Sequence, residues 1–191
     1  MLKMGKHAIL TMAVLLTAFF LGSGFVSASE VDKGKIPDAH TDSSLKKLPW
    51  GVPIYDVAEA VAKLKSNEKV LWIDTRPASF FNKGTVRDAL NIPYNKTGAG
   101  GNDLTPETLE AAITAAGLSK DTAKVIYFCQ GPKCHRSYNA AFKAITEWGY
   151  KPENQVWFRE GYPYLLKEIK NNPKLKRKAK KYISDAGVKQ L

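Results

Sequence analysis

The sequence predicts an α/β fold in which a central, mostly parallel sheet carries helices on both faces. Short apolar segments rich in β-branched and aromatic residues alternate with longer segments whose apolar residues recur every three or four positions. This alternation is typical of parallel sheets, because each helix carries the chain back to the start of the next strand. In addition, chemically reactive side chains follow directly after two predicted strands, where ligands bind in such sheets.

The first predicted elements are an edge strand, a helix and a buried strand. Residues 50–54 predict the edge strand, where a proline is tolerated because one side of the strand has no neighbour. Asp56 is a suitable N-cap for the helix, whose apolar side consists of Val57, Ala60, Val61 and Leu64. Residues 70–73 predict the buried strand, which ends at Asp74.

The middle of the chain predicts one further strand and two helical segments. A short helical turn is expected at residues 80–81, and a strand at residues 89–92. Thr105 caps the next helix, which has a proline at its first position. Gly117 is suited to end that helix, because glycine readily adopts the left-handed backbone of a C-terminal stop.

Two strands and two helices are predicted in the last third. The apolar run at 125–128 predicts a buried strand that ends at Cys129. From His135 onward the apolar residues recur at steps of three and four, which indicates a helix. Residues 153–158 predict the last strand, and Gly161 turns the chain into a final helix.

Residues 1–28 have the three-part layout of a secretory signal peptide. Lys3 and Lys6 precede an apolar stretch at 8–21, and small residues lead up to Ala28. The apolar stretch is short for a membrane span, which favours cleavage after Ala28 over an uncleaved anchor. The sequence therefore predicts a periplasmic or secreted protein.

The rest of the chain divides into a linker at 29–48, one domain at 49–172 and a basic tail at 173–191. His40 lies alone in the polar linker and is expected to be solvated. The formal net charge is +11, and loss of Lys3 and Lys6 leaves +9. The tail is expected to be solvated and partly helical, and it suits an acidic protein partner or an anionic membrane surface. Export argues against nucleic acid as a partner.

The candidate site is the loop that connects Cys129 to the helix beginning at His135. Such a loop directs several backbone N–H groups and the positive end of a helix dipole at its mouth. Lys133, His135 and Arg136 add side-chain charge or hydrogen-bond donors. These features favour a thiolate or a bound anion, and they make Cys129 a candidate nucleophile at neutral pH.

The chain has two cysteines, Cys129 and Cys134. In an exported protein such a pair is usually a structural disulfide, but this bridge would close a small loop and stabilise little. The position of Cys129 at a strand end, beside basic residues, therefore favours a reactive role for the two cysteines over a purely structural one. Together with His135 the cysteines do not make a usual zinc site, so no metal or other cofactor is expected. Near the site, Asp74 and Arg76 are expected to form a bidentate structural pair.

Three motifs in order resemble one known family. The first is a strand ending at Asp74, then Arg76, an aromatic pair and GTVRDALNIP at 84–93. The second is the strand ending in Cys129, its loop, Arg-Ser and an alanine-rich helix, and the third is the glycine turn after the last strand. The sequence resembles the rhodanese-like domains, the single-domain sulfurtransferases, over roughly residues 50–170.

The chain departs from the family pattern at several positions. Within the motifs, the residues that differ from those usual in the family are Thr85, Asp88 and Glu160. In common active rhodaneses a basic residue follows the cysteine by five positions, whereas here Arg136 follows Cys129 by seven and Cys134 takes the fifth place. Phosphatase relatives of the fold carry arginine six positions on, where this chain has His135, so a phosphatase fits poorly.

The resemblance implies a rhodanese-type sulfurtransferase, similar to thiosulfate sulfurtransferases, that carries sulfur as a persulfide on Cys129. It implies thiosulfate or polysulfide as the donor and a thiol or a cyanide-like nucleophile as the acceptor. The residues expected to bind these anions are Gln130, Gly131, Lys133, Cys134, His135 and Arg136. The loop amides, except that of the proline, would stabilise the persulfide.

The role of Cys134 is left open by the residues: it accepts the sulfur, resolves the persulfide as a disulfide, or does neither. Two other functions are also open. One is a thiol–disulfide redox protein that uses Cys129 and Cys134, although four residues separate them and not the two of thioredoxin-like motifs. The other is a non-catalytic rhodanese module that binds a partner.

Overall fold

The computed structural model describes residues 35–95 and 102–191, and the sheet lies at the centre of this part of the chain. Its strands are Ile54–Tyr55 (β1), Leu71–Asp74 (β2), Leu90–Asn91 (β3), Val125–Phe128 (β4) and Gln155–Phe158 (β5). The order across the sheet is β1-β5-β4-β2-β3, and all neighbouring strands are parallel. The predicted α/β fold with a parallel central sheet is confirmed.

Helices separate the strands, as the apolar periodicity predicts. They are Asp38–Thr41 (α1), Val57–Lys65 (α2), Ala78–Phe81 (α3), Pro106–Ala115 (α4), His135–Thr146 (α5), Gly161–Asn171 (α6), Pro173–Lys176 (α7) and Asp185–Val188 (α8). At the start of α2, the Asp56 N–H donates to Glu59 Oε2 at 3.0 Å, which completes a capping box. Gly117 follows α4 with a φ of +64°, so it supplies the left-handed stop predicted there.

The sheet is covered on both faces, because successive side chains of its buried strands point in opposite directions. Val125 and Tyr127 pack under α4 and α5, together with Leu48. Ile126 and Phe128 belong to a second apolar cluster, which is covered by α2, α6 and the last residues of the chain. The carboxyl ends of β2 and β4 therefore meet at one edge of a layered core.

The expectation that His40 is solvated is wrong, because the segment at 35–48 docks on the domain although many of its residues are exposed. His40 is only 5% exposed, and its Nδ1 lies 2.6 Å from the Tyr138 hydroxyl oxygen. Arg159 donates to the main-chain carbonyls of Asp42 and Ser43, which fixes the segment against the domain. A polar segment held by long-range hydrogen bonds carries no apolar period, so the local pattern gave no signal of this docking.

Residues 173–191, which we call the C-terminal segment, pack on the domain, so the expectation of a solvated tail is wrong. The buried side chains are Leu175, Ala179, Tyr182 and Ile183. Ile183 forms an antiparallel bridge with Val86, and the Ser184 N–H donates to the Thr85 carbonyl at 3.0 Å. The Lys and Arg side chains of the segment face solvent. Four apolar residues anchor it despite its charge.

The predicted signal peptide, residues 1–28, lies outside the described residues, as does the first part of the predicted linker. Within residues 35–95 and 102–191, none of the helices has both the length and the apolar character that crossing a membrane requires.

Candidate functional site

Cys129 follows β4 directly, and its backbone is held in place by the turn after β5. The Tyr162 N–H donates to the Cys129 carbonyl at 3.0 Å. Gly161 makes this approach possible, because a Cβ there would overlap the Cys129 carbonyl oxygen and the residue has a φ of +68°. The side chain of Cys129 is almost fully buried, at 1% exposed. The cysteine is therefore fixed from the side of the last strand.

Cys129 and Cys134 form a disulfide, with their Cα atoms 6.1 Å apart. Cys134 is partly exposed and occupies the N-cap position of α5. Its N–H donates to the Gly131 carbonyl at 2.9 Å. In the disulfide form the loop itself uses this donor, and the expected role of this N–H at a Cys129 persulfide stays a prediction.

The loop after Cys129 borders an open cleft of about 370 Å³. Its lining residues are Gln130, Gly131, Pro132, Lys133, Cys134 and Tyr164. Lys133 is exposed at the rim and is the cationic member of this lining. The positive charge of Lys133 attracts anions to this rim.

His135 and Arg136 occupy the first turn of α5, outside the lining of this cleft. The Arg136 Nη1 donates to the Tyr94 carbonyl at 2.5 Å. This guanidinium therefore points toward the segment after β3. Of the predicted substrate-binding residues, the structure brings Gln130, Gly131, Lys133 and Cys134 together at the cleft and leaves these two behind the loop.

Asp74 and Arg76 form a bidentate pair at the carboxyl end of β2. Arg76 Nε donates to Asp74 Oδ1 at 2.8 Å, and Arg76 Nη2 donates to Asp74 Oδ2 at 2.6 Å. Both residues are almost completely buried. Thr85 donates its hydroxyl to Asp74 Oδ2 at 2.7 Å. The charges of Asp74 and Arg76 are therefore compensated by hydrogen bonds within the protein, and the pair has a structural role beside the site.

Gln130 connects this buried pair to the cysteine loop. Arg76 Nη1 donates to Gln130 Oε1 at 3.1 Å, so the first loop residue after Cys129 is tied to β2. Gln130 and Arg76 also border a second, smaller cleft of about 200 Å³, where Gln190 of the C-terminal segment contributes to the lining. Sequence reasoning missed this role for Gln190, because no local motif marks a contact across that distance.

Tyr162 is a second residue that sequence reasoning missed. Its ring lies 4.7 Å from Arg76 Cζ, in a cation–π arrangement. Its hydroxyl is buried and has no hydrogen-bond partner among the described residues. Burial raises the pKa of Tyr162 to about 12, with opposing effects from Arg76, which lowers the pKa, and Asp74, which raises it. The only sequence signal was its place directly after the glycine turn.

No group of three or more His, Cys, Asp or Glu side chains within residues 35–95 and 102–191 is arranged to hold a metal ion. At the cleft itself, the sulfur atom belongs to Cys134, which is bonded to the buried Cys129.

Comparison with known proteins gave a match to one family model and to several solved structures. The model described as "Rhodanese-like domain" matches residues 57–164, more than half of the chain. The BH2092 protein from Bacillus halodurans is 25% identical, and the match covers 60% of this chain and 71% of that one with a TM-score of 0.46. The rhodanese-like domain of the Alr3790 protein from Anabaena sp is 17% identical, with 59% and 72% covered and a TM-score of 0.41. None of the curated proteins matches.

Proposed function

Given that the chain belongs to the rhodanese-like domain family, whose role is to transfer or bind sulfur, we propose that it is a sulfurtransferase that carries sulfane sulfur on Cys129. One observation supports this more than any other. Cys129 lies at the carboxyl end of the central strand β4, at the base of a loop that leads into the N-terminus of α5. This is where a parallel sheet presents a nucleophile to its ligand.

We propose thiosulfate or polysulfide as the sulfur donor. Both are anions, and the cleft beside the loop has Lys133 at its rim and the start of a twelve-residue helix behind it. The positive end of a helix dipole and exposed N–H groups attract negative charge. The buried Arg76 is engaged with Asp74, so Lys133 supplies the accessible cation of the lining.

The proposed reaction has two displacements. The reduced Cys129 thiolate attacks the outer sulfur of thiosulfate, the S–S bond of the donor breaks, and sulfite leaves with the electron pair. The enzyme then holds a Cys129 persulfide, whose outer sulfur is attacked by a thiol or by cyanide. That second step releases the Cys129 thiolate and gives an acceptor persulfide or thiocyanate. In the disulfide form Cys129 is not a thiol, so reduction precedes turnover.

Thiocyanate formation from thiosulfate and cyanide tests this proposal. The mature protein is reduced, freed of reductant and compared with Cys134→Ser, Cys129→Ser and the double variant. We expect thiocyanate from the Cys134→Ser protein, in which the disulfide cannot form, and none when Cys129 is also replaced. The proposal is wrong if the reduced parent and Cys134→Ser are both inert with thiosulfate and with polysulfide.

A second candidate, thiol–disulfide exchange with a partner, is favoured by one specific observation. The two cysteines are bonded to each other, as in the oxidised form of a dithiol redox protein. This function predicts that the oxidised protein oxidises a dithiol peptide without any sulfur donor. It also predicts that Cys134→Ser abolishes this oxidation of the peptide. Sulfur transfer, in contrast, predicts that the Cys134→Ser protein still forms thiocyanate.

A further inference from the structure

The disulfide shows from which side a second sulfur atom reaches Cys129. Cys129 is almost fully buried, whereas Cys134 is partly exposed and lines the cleft. The Cys134 sulfur is bonded to Cys129 Sγ, which is the bond that the outer sulfur of a Cys129 persulfide would make. The persulfide and the disulfide are therefore alternative bonds of one sulfur atom, Cys129 Sγ, and forming the disulfide expels the outer sulfur of the persulfide.

We propose that Cys134 resolves the Cys129 persulfide, so that the protein releases its bound sulfur as hydrosulfide and is restored by an external dithiol. This inference rests on the proposed persulfide chemistry, but it adds a different product. In sulfur transfer an external acceptor takes the sulfane sulfur, whereas here a thiol of the same chain displaces it and it leaves as hydrosulfide.

The proposed step balances within the protein. The Cys134 thiolate attacks Cys129 Sγ, and the bond between Sγ and the outer sulfur breaks. The outer sulfur leaves with that electron pair and takes a proton, which gives hydrosulfide. The sulfane sulfur is thereby reduced by two electrons, and the two thiols are oxidised to the disulfide. An external dithiol then reduces the disulfide by exchange and is itself oxidised.

The surroundings of Cys134 suit the attacking role. It is the N-cap of α5, a helix of twelve residues, where the dipole and the N–H groups of the first turn favour the thiolate. The neighbouring Lys133 is exposed and adds positive charge. The bond between the cysteines shows that their sulfur atoms meet within the observed loop and sheet.

Because Cys134 is more exposed than Cys129, an external thiol that reduces the disulfide attacks Cys134 first. An external thiol reaches the Cys134 sulfur from the cleft, whereas the Cys129 sulfur is covered. Exchange therefore begins with attack on Cys134 and expels Cys129 as the thiolate. That thiolate is the form needed to accept the next sulfur atom.

A single-turnover experiment tests the proposal. The reduced protein is freed of reductant under nitrogen and mixed with thiosulfate in the absence of any acceptor. Hydrosulfide, free thiols and intact mass are measured over time, with alkylation of samples taken at early times to trap any persulfide. The parent is compared with Cys134→Ser and Cys134→Ala, so that the result does not depend on the folding of one variant.

We expect the parent to release about one hydrosulfide per chain, to lose both thiols and to end with the mass of the disulfide. Both Cys134 variants are expected to release none and to retain one additional sulfur atom, which cyanide removes. Added dithiothreitol should make hydrosulfide release continuous in the parent.

Two results would overturn the inference, and they are distinguishable. If the parent keeps a stable persulfide and releases no hydrosulfide, Cys134 does not resolve it, while sulfur transfer through Cys129 stands. If neither the parent nor the Cys134 variants gain a sulfur atom, the persulfide chemistry itself fails, and the resolving role fails with it.

Discussion

Arg76 is a buried cation whose hydrogen bonds hold the floor of the site together. It binds Asp74 through two nitrogens, and it also donates to Gln130 and to the Gly84 carbonyl. Arg76→Ala leaves the Asp74 carboxylate buried without its partner. We expect the free energy of unfolding to fall by about 3–5 kcal/mol, as is usual when one member of a buried pair is removed. Urea unfolding monitored by tryptophan fluorescence measures this.

Arg87→Ala is the matched control for that variant. Arg87 pairs with Asp88 at 3.4 Å, but both side chains are largely exposed. An exposed pair contributes between zero and about 1 kcal/mol, because water and salt screen it. Equal losses in the two variants would contradict the structural role given to Arg76.

Two buried tyrosines differ in whether their hydroxyl is bonded. Tyr127 donates to Gln155 Oε1 at 2.8 Å, whereas the Tyr162 hydroxyl has no partner among the described residues. Tyr127→Phe leaves the Gln155 oxygen without that donor and should cost about 1–3 kcal/mol at pH 7. Tyr162→Phe removes an unpaired polar group and should cost nothing measurable. Unfolding of the two variants in urea gives the comparison, and a larger loss for Tyr162→Phe would contradict it.

Because the Tyr162 hydroxyl is buried, we expect the protein to lose stability at alkaline pH. Burial raises the pKa of Tyr162 to about 12, whereas its usual value is about 10. The folded protein therefore favours the protonated hydroxyl, and this contribution is complete below pH 10 and is lost as the pH rises toward 12. In urea titrations between pH 9 and 11.5, Tyr162→Phe should lose stability less steeply than the parent. Identical slopes would show that the Tyr162 hydroxyl is not protected.

At the level of residues, the side chains next to a strand end were predictable from the sequence. Asp74, Arg76 and Cys129 could be placed at one edge of the sheet, because parallel strands bring their carboxyl ends together. The bond from Arg76 to Gln130 and the use of the Cys134 N–H within the loop were not predictable, because both depend on the path of the loop.

The C-terminal segment is the element with the largest difference between expectation and structure. Ile183 is fully buried in the second apolar cluster and bridges Val86. Ile183→Ala should lower the free energy of unfolding by about 2–5 kcal/mol, since it removes buried methyl groups and leaves a cavity. Lys180→Ala, an exposed change in the same segment, should stay within about 0.5 kcal/mol. Calorimetry or urea unfolding measures both, and equal effects would mean that the segment is detached in solution.

Elements with a regular apolar period were predicted well, and irregular elements were not. The helix α5 was expected to begin at His135 and does so, because its apolar residues repeat over three turns. In the C-terminal segment, Leu175 lies in α7, Ala179 lies in a 3₁₀ turn, and Tyr182 and Ile183 follow that turn outside any helix; the many lysines between them suggested solvation. The segment at 35–48 gave no period at all. Its position depends on Arg159 and Tyr138, far along the chain.

For the whole molecule, we propose export followed by cleavage after Ala28. The apolar stretch and the small residues before Ala28 support this. Expression of the full chain in a bacterium should give a periplasmic protein whose N-terminus is Ser29, as measured by intact mass and N-terminal sequencing. Ala28→Phe should accumulate the uncleaved form, because the cleavage site requires a small residue. An intact N-terminus in the parent would contradict the proposal.

The sheet order has a consequence for how the chain assembles as it is made. The early strand β1 pairs with β5, which is among the last parts to be synthesised, and the second apolar cluster is completed only by Ile183. A nascent chain on the ribosome therefore cannot pair β1 until β5 has emerged, and it cannot complete that cluster until Ile183 has emerged. Such long-range pairing delays folding. In the export that we propose, this delay would keep the chain in the unfolded form that a translocation channel accepts.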